Sequence, residues 1–158
     1  MRQLLRAASL SALVATTSFG SAHALVTEAA QQARGVALFH GTPALPARLR
    51  HQDLALPPLA SRCSNCHLGD SRQAALGPRL DANWLLGMRP RHGGPATRYE
   101  RDSFCRLLRT GIAPADIVVA QAMPTYRIDD AQCDALWRHL TRPGPTAATP
   151  ATHATPPP

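Results

Sequence analysis

The residues best equipped for chemistry stand together in the string Cys63-Ser64-Asn65-Cys66-His67. On a helical turn, positions i and i+3 lie on one face, so Cys63 and Cys66 present both sulfurs to the same side. His67, next in the chain, can swing its imidazole toward the same point. Two thiols and an imidazole at this spacing fit covalent haem attachment, with thioethers to the vinyl groups and the histidine as proximal iron ligand. Zinc would need a second ligand pair at metal spacing, and the remaining cysteines, Cys105 and Cys133, stand alone 28 residues apart. A dithiol redox centre of the thioredoxin kind would need βαβ patterning around it, and the flanking sequence has none.

A ligating histidine usually donates its other ring N–H to a carbonyl, which fixes its tautomer and raises its basicity. Ten residues after His67 begins Gly77-Pro78-Arg79-Leu80, a proline-centred loop able to offer that carbonyl rigidly. With these residues in hand the chain resembles the small class I c-type cytochromes, in which a Gly-Pro-x-Leu segment follows the attachment motif and the proline carbonyl holds the proximal histidine. Gly77, Pro78 and Leu80 match that pattern. The resemblance implies an all-α, cytochrome c-like helical domain wrapped around one haem c, covalently bound through Cys63 and Cys66, with His67 on the iron.

A thioether is a soft, neutral ligand that raises the haem potential. Met123-Pro124 lies 56 residues after His67, just ahead of the last helical segment. The resemblance implies that Met123 is the sixth ligand, since the family places a distal methionine in a loop before its C-terminal helix. The competitors are Met88, which reads as core filler behind Leu85-Leu86-Gly87, and three histidines. His40 closes the first helical segment, His51 lies in the polar stretch 48–53, and His92 precedes Gly93-Gly94-Pro95; all three read more easily as caps or loop residues. An indole N–H or phenol O–H can donate and a guanidinium can pair bidentately, so Trp84, Tyr126, Arg79, Arg89 and Arg91 are candidates to meet the haem propionates.

Three helical segments must position these groups. The first runs from about Glu28 to Phe39, where Gly35 and Phe39 share a face. The second begins at Thr97-Arg98-Tyr99-Glu100, a Thr-x-x-Glu capping box, and stops at Gly111, a plausible C′ residue. The third begins at Asp129 with Gln132 three residues on, and carries an apolar stripe of Cys133, Leu136, Trp137 and Leu140 at i, i+3, i+4 and i+7. No stretch alternates long enough for a sheet; Ile117-Val118-Val119 is too short. In the family the first and last helices cross closely at a glycine, a role that Gly35 matches, with Leu136 or Trp137 facing it. The departure from the family is the segment His40 to Arg62, which carries Pro43, Pro46, Pro57 and Pro58. A loop of that length without structure of its own is often functional, either covering a haem edge or, through Arg48 and Arg50, meeting a partner.

The ends read as something other than fold. Met1 to Arg6 is basic, Ala7 to Phe19 is mostly apolar, and Ser21-Ala22-His23-Ala24 has the small-x-small pattern of a cleavage site; together they make a secretory signal peptide over 1–24. The apolar run is shorter than the about 20 residues of a spanning helix, so no stable membrane span is expected. Residues 142–158 contain little beyond Pro, Thr, Ala and Gly, have almost nothing to bury and read as a disordered tail, leaving 25–141 as the working domain. Export leads to an oxidising compartment, the periplasm, where the two leftover cysteines, Cys105 and Cys133, suggest a disulfide, the alternative being two independent buried thiols acting as small apolar residues.

Composition narrows the function further. The chain has 158 residues, too few for a multi-domain enzyme, and its 17 basic residues are all arginine, giving a formal charge of +7. Removal of 1–24 takes Arg2 and Arg6 with it, and haem propionates lower the charge again, so nucleic acid is a poor partner. The expected activity is that of a periplasmic mono-haem cytochrome c, an electron carrier and not an enzyme, meeting redox proteins with an acidic docking surface. The alternatives are a haem enzyme or sensor with an open or displaceable sixth position, or a haem subunit of a larger oxidoreductase.

Overall fold

The computed structural model describes residues 19–52, 54–68 and 76–143. Helix α1 (Phe19–Phe39) and helix α5 (Asp130–Thr141) cross each other and form the back of the molecule. α1 begins ahead of the expected Glu28 and passes through Ala24, the position after which cleavage is expected. The remainder of the expected leader, 1–18, and residues 144–158 of the expected tail lie outside the described residues.

The crossing depends on Gly35. A Cβ built there would collide with the Ala135 carbonyl oxygen and lie 2.6 Å from the Cβ of His139. The two helices therefore touch backbone to backbone, and the residues facing Gly35 are Ala135 and His139, not the expected Leu136 or Trp137. Leu136 is buried in the core, and Trp137 packs its ring 5.4 Å from that of Phe104. α5 starts as its sequence says: the Asp129 side chain accepts from the Gln132 amide at 2.6 Å, and the Gln132 side chain accepts from the Asp129 amide at 3.0 Å.

Helix α4 (Arg101–Thr110) packs against α5 and is tied to it by a disulfide between Cys105 and Cys133, whose Cα atoms are 5.9 Å apart. Its N-terminal box is shifted from the expected one. Glu100 is the N-cap and Ser103 its reciprocal partner, with the Ser103 hydroxyl accepting from the Glu100 amide at 2.9 Å. Thr97 lies in a strand because an extended pair, not a helical turn, precedes the cap. At the other end Gly111 adopts φ +75° and donates its amide to Leu107 O at 2.7 Å, closing the helix in the left-handed conformation that favours glycine.

The all-α expectation is overturned: among the described residues the fold mixes helices with three small antiparallel sheets. In the first, β1 (Ala47–Leu49) lies between β2 (Leu54–Ala55) and β7 (Thr125–Tyr126). The second pairs β3 (Arg89–Pro90) with β4 (Ala96–Thr97), and the third pairs β5 (Ile112–Ala113) with β6 (Ile117–Val118). Strands of two or three residues are too short to show period-2 alternation, which is why the pattern hid them. Residues 40–62 are accordingly not a structureless loop; they contain the β1–β2 hairpin, docked on β7. Two short helices, α2 (Ser64–His67) and α3 (Ala82–Leu86), complete the front of the molecule. Among the described residues no helix is long and apolar enough to cross a membrane.

Candidate haem-attachment site

The motif folds as a single helical turn. Cys63 caps α2, and its carbonyl accepts from the amides of Cys66 at 3.2 Å and His67 at 3.0 Å. The preceding Pro57-Pro58 turn braces it: Ser61 Oγ donates to Pro58 O at 3.1 Å, and Asn65 Nδ2 donates to Leu59 O at 2.7 Å. A four-residue helix cannot stand alone, because nucleation is unfavourable until tertiary contacts repay it.

His67 is buried, and its Nδ1 lies 2.7 Å from Pro78 O. A carbonyl can only accept, so Nδ1 carries the proton and Nε2 keeps its lone pair, the tautomer a metal needs. Burial holds the imidazole below its ordinary pKa of 6.5, against a smaller upward pull from the Pro78 carbonyl, and so favours the neutral ring. The Gly77 amide donates to Cys66 O at 3.1 Å, and a Cβ on Gly77 would run into the imidazole, 2.7 Å from Nδ1. Gly77 and Pro78 thus back the ring from the side that its Nδ1 faces.

Cys63 is buried and Cys66 half-buried, and neither takes part in the disulfide. Burial pushes the Cys63 thiol up to about 11, although the Tyr126 hydroxyl, donating toward its sulfur, pulls the other way. A reactive redox dithiol needs a depressed thiol pKa, so this environment is the reverse of what such chemistry requires. Among the described residues no group of three or more His, Cys, Asp or Glu is placed to hold a metal ion. Haem ligation by His67 and Met123 would not draw on such a cluster.

Cys63, Cys66, His67, Pro78 and Met123, spread over 61 positions of the chain, all line one cavity of about 190 Å3. Met123 is half-buried, Pro124 behind it is buried, and the Met123 amide donates to Ala120 O at 3.0 Å. The competing ligands fare differently. Met88 is 65% exposed and off the cavity wall, so neither the ligand nor the core-filler reading holds. His40 and His51 are exposed and off it as well; His92 is exposed but reaches the cavity wall.

The propionate candidates separate in the same way. Arg79 is exposed beside Asp81 at 3.6 Å, and Tyr126 is committed to Cys63. Arg89 donates to Asn83 O at 2.8 Å with its guanidinium 4.9 Å from the Trp84 ring. Arg91 is buried against two cavity-lining rings, 5.0 Å from Trp84 and 4.8 Å from Tyr99. Its Nη2 donates to the carbonyls of Trp84 at 2.5 Å and Gly87 at 3.0 Å, and its Nε to Thr97 O at 3.2 Å, while Nη1 is buried without a partner. Arg62, on the cavity wall itself, buries its Nε without a partner too. An unpaired buried donor is costly, so Arg62 fits a group with an apolar body and an acidic periphery, as a haem has, whereas Arg91 packs against Trp84 and Tyr99 without lining the cavity itself. Arg62 and Tyr99 carry no local signal; only the packing brings them here.

Comparison with family models, with curated proteins and with solved structures finds no match for the chain.

Proposed function

We propose that this chain is an exported mono-haem c-type cytochrome, related in its site to the class I cytochromes, that carries single electrons between redox proteins. The observation that carries the reading is the convergence of Cys63, Cys66, His67, Pro78 and Met123 on one cavity, with His67 Nδ1 anchored at 2.7 Å on Pro78 O. When bound, the haem supplies a ferric/ferrous couple that takes one electron from a reduced donor and yields it to an oxidised acceptor. Cys63 and Cys66 hold it through thioethers, so that it survives unfolding. His67 offers Nε2 to the iron while Pro78 keeps Nδ1 protonated, and Met123 supplies the thioether that raises the potential. Arg62, on the cavity wall, would offer a propionate its unpaired N–H group. With His67 and Met123 both held to the iron, the bound haem would favour outer-sphere electron transfer over chemistry at the metal.

Two further features support the surroundings assigned to it. The Cys105–Cys133 bridge suits an oxidising compartment such as the periplasm. The sequence carries 17 arginines against 10 acidic residues, and a positive balance of that kind would steer an acidic partner.

Replacement of Met123 by Ala tests the ligation. The oxidised protein should lose the weak red charge-transfer band of Met-ligated haem, its potential should fall, and the reduced protein should take up carbon monoxide. If the unmodified protein already lacks that band and binds carbon monoxide rapidly, the sixth position is open and the chain is a sensor or enzyme instead.

A further inference from the structure

We propose that Arg50 is a positioning residue for the sixth ligand: through the β1–β2 hairpin it clamps the loop that presents Met123. The inference rests on the His67/Met123 reading above. It gives residues 40–62, the segment by which this chain departs from the compact cytochromes, a specific task.

The loop 119–126 is held at both ends by the same hairpin. At its far end Thr125 and Tyr126 pair with Arg48 and Ala47 of β1, and just beyond it the Arg127 amide donates to Pro46 O at 2.9 Å. At its near end the Arg50 guanidinium gathers three carbonyls. Nη1 donates to Gly111 O at 3.0 Å, and Nη2 donates to Val119 O and, at 3.2 Å, to Ala120 O. The Ala120 carbonyl is shared, since it also accepts the Met123 amide at 3.0 Å. A single carbonyl, with two lone pairs to offer, therefore links the guanidinium to the backbone of the ligand residue. Gln121 returns the contact, its side-chain N–H donating to Arg50 O at 3.4 Å.

The site is also shaped for this side chain. Gly111, already left-handed at the end of α4, has no room for a Cβ, which would lie 2.7 Å from Cδ and Cζ of Arg50 and still closer to Nη1. Only a planar fork spreads several donors in fixed directions; an ammonium is a point charge. A thioether is a neutral ligand, so its hold on iron depends on being delivered within a fraction of an ångström of the bonding position. Anchoring both ends of a short loop achieves that without a strong ligand.

The test uses the holoprotein with R50A, R50K, M123A and R109A. R109A is the control: Arg109 also donates to a backbone carbonyl, Ile128 O at 3.1 Å, just past the far end of the loop, and its loss removes none of the Arg50 contacts at the near end. R50A should weaken the red band, lower the potential and speed carbon monoxide uptake about tenfold, toward the behaviour of M123A. R50K should fall between R50A and the parent, and R109A should keep the parent spectrum. The proposal is overturned if R50A retains the parent's band, potential and carbon monoxide resistance, or if R109A loses them equally. Should the parent itself prove to lack methionine ligation, the His/Met reading fails, and amide exchange decides the clamp separately. R50A must then lose protection at the Val119 and Met123 amides, and unchanged protection there would sink it.

Discussion

The helical back of the molecule and the cavity-bearing front are built on opposite principles. α1, α4 and α5 are long enough to bury full stripes: Leu38 and Phe39 on α1, Phe104 and Leu108 on α4, Leu136 and Leu140 on α5. They touch backbone to backbone at Gly35 and are cross-linked by Cys105–Cys133. The front consists of α2, four residues long, α3, five residues long, and strands of two or three residues. Elements so short have little stability of their own. Much of what they surround is a cavity, not protein. The difference teaches that the back is held by direct contacts between its helices and lends Phe39, Phe104, Leu108, Leu136 and Leu140 to the cavity wall, whereas the front encloses that cavity with elements too short to stand alone.

That contrast can be attacked from both sides. The largest effect should come from cutting the frame's cross-link. Replacing Cys105 and Cys133 by Ser should lower the unfolding free energy by about 3–4 kcal/mol through chain entropy, read by denaturant titration, with the haem spectrum unchanged while the protein stays folded. Gly35→Ala comes next: its methyl must displace the Ala135 carbonyl, an overpacking that costs about 1–3 kcal/mol, again with no spectral change. Gly77→Ala should differ in its spectrum. Its methyl meets the His67 ring and the bond to Pro78 O, so the potential and the axial-ligand spectrum should move together with a comparable overpacking cost of about 1–3 kcal/mol. If Gly35→Ala altered the spectrum as much as Gly77→Ala did, the division into frame and site would not stand.

Much of the site was legible before the fold was known. Cys63, Cys66 and His67 are consecutive enough that one helical turn gathers them, and Gly77-Pro78 is near enough in sequence to reach back to the ring. The caps at Asp129 and Gly111 were equally readable, because a cap is a contact between residues three or four apart. The box at Thr97 was misplaced to a real neighbour, Glu100 with Ser103, since Thr97 is drawn into pairing with Arg89. Tertiary pairing overrode a local preference there. The β1–β2–β7 sheet left no trace in the pattern, because two-residue strands have no period to detect. Met88 illustrates the same limit: an apolar residue after Leu85-Leu86 reads as core, yet the break at Gly87 turns it outward.

By itself, the sequence determined the grouping of Cys63, Cys66 and His67, the ring-backing proline, the C-terminal end of α4, the start of α5 and the stripe of α5, all of which depend on residues close in the chain or on a single helical period. Only the tertiary structure decided that Met123 shares a cavity with His67, that residues 40–62 form a hairpin holding the methionine loop, and that Arg91 lies against Trp84 and Tyr99. Those arrangements join segments tens of residues apart through backbone carbonyls and ring faces. Every residue type offers carbonyls alike, so no local pattern announces which of them will meet.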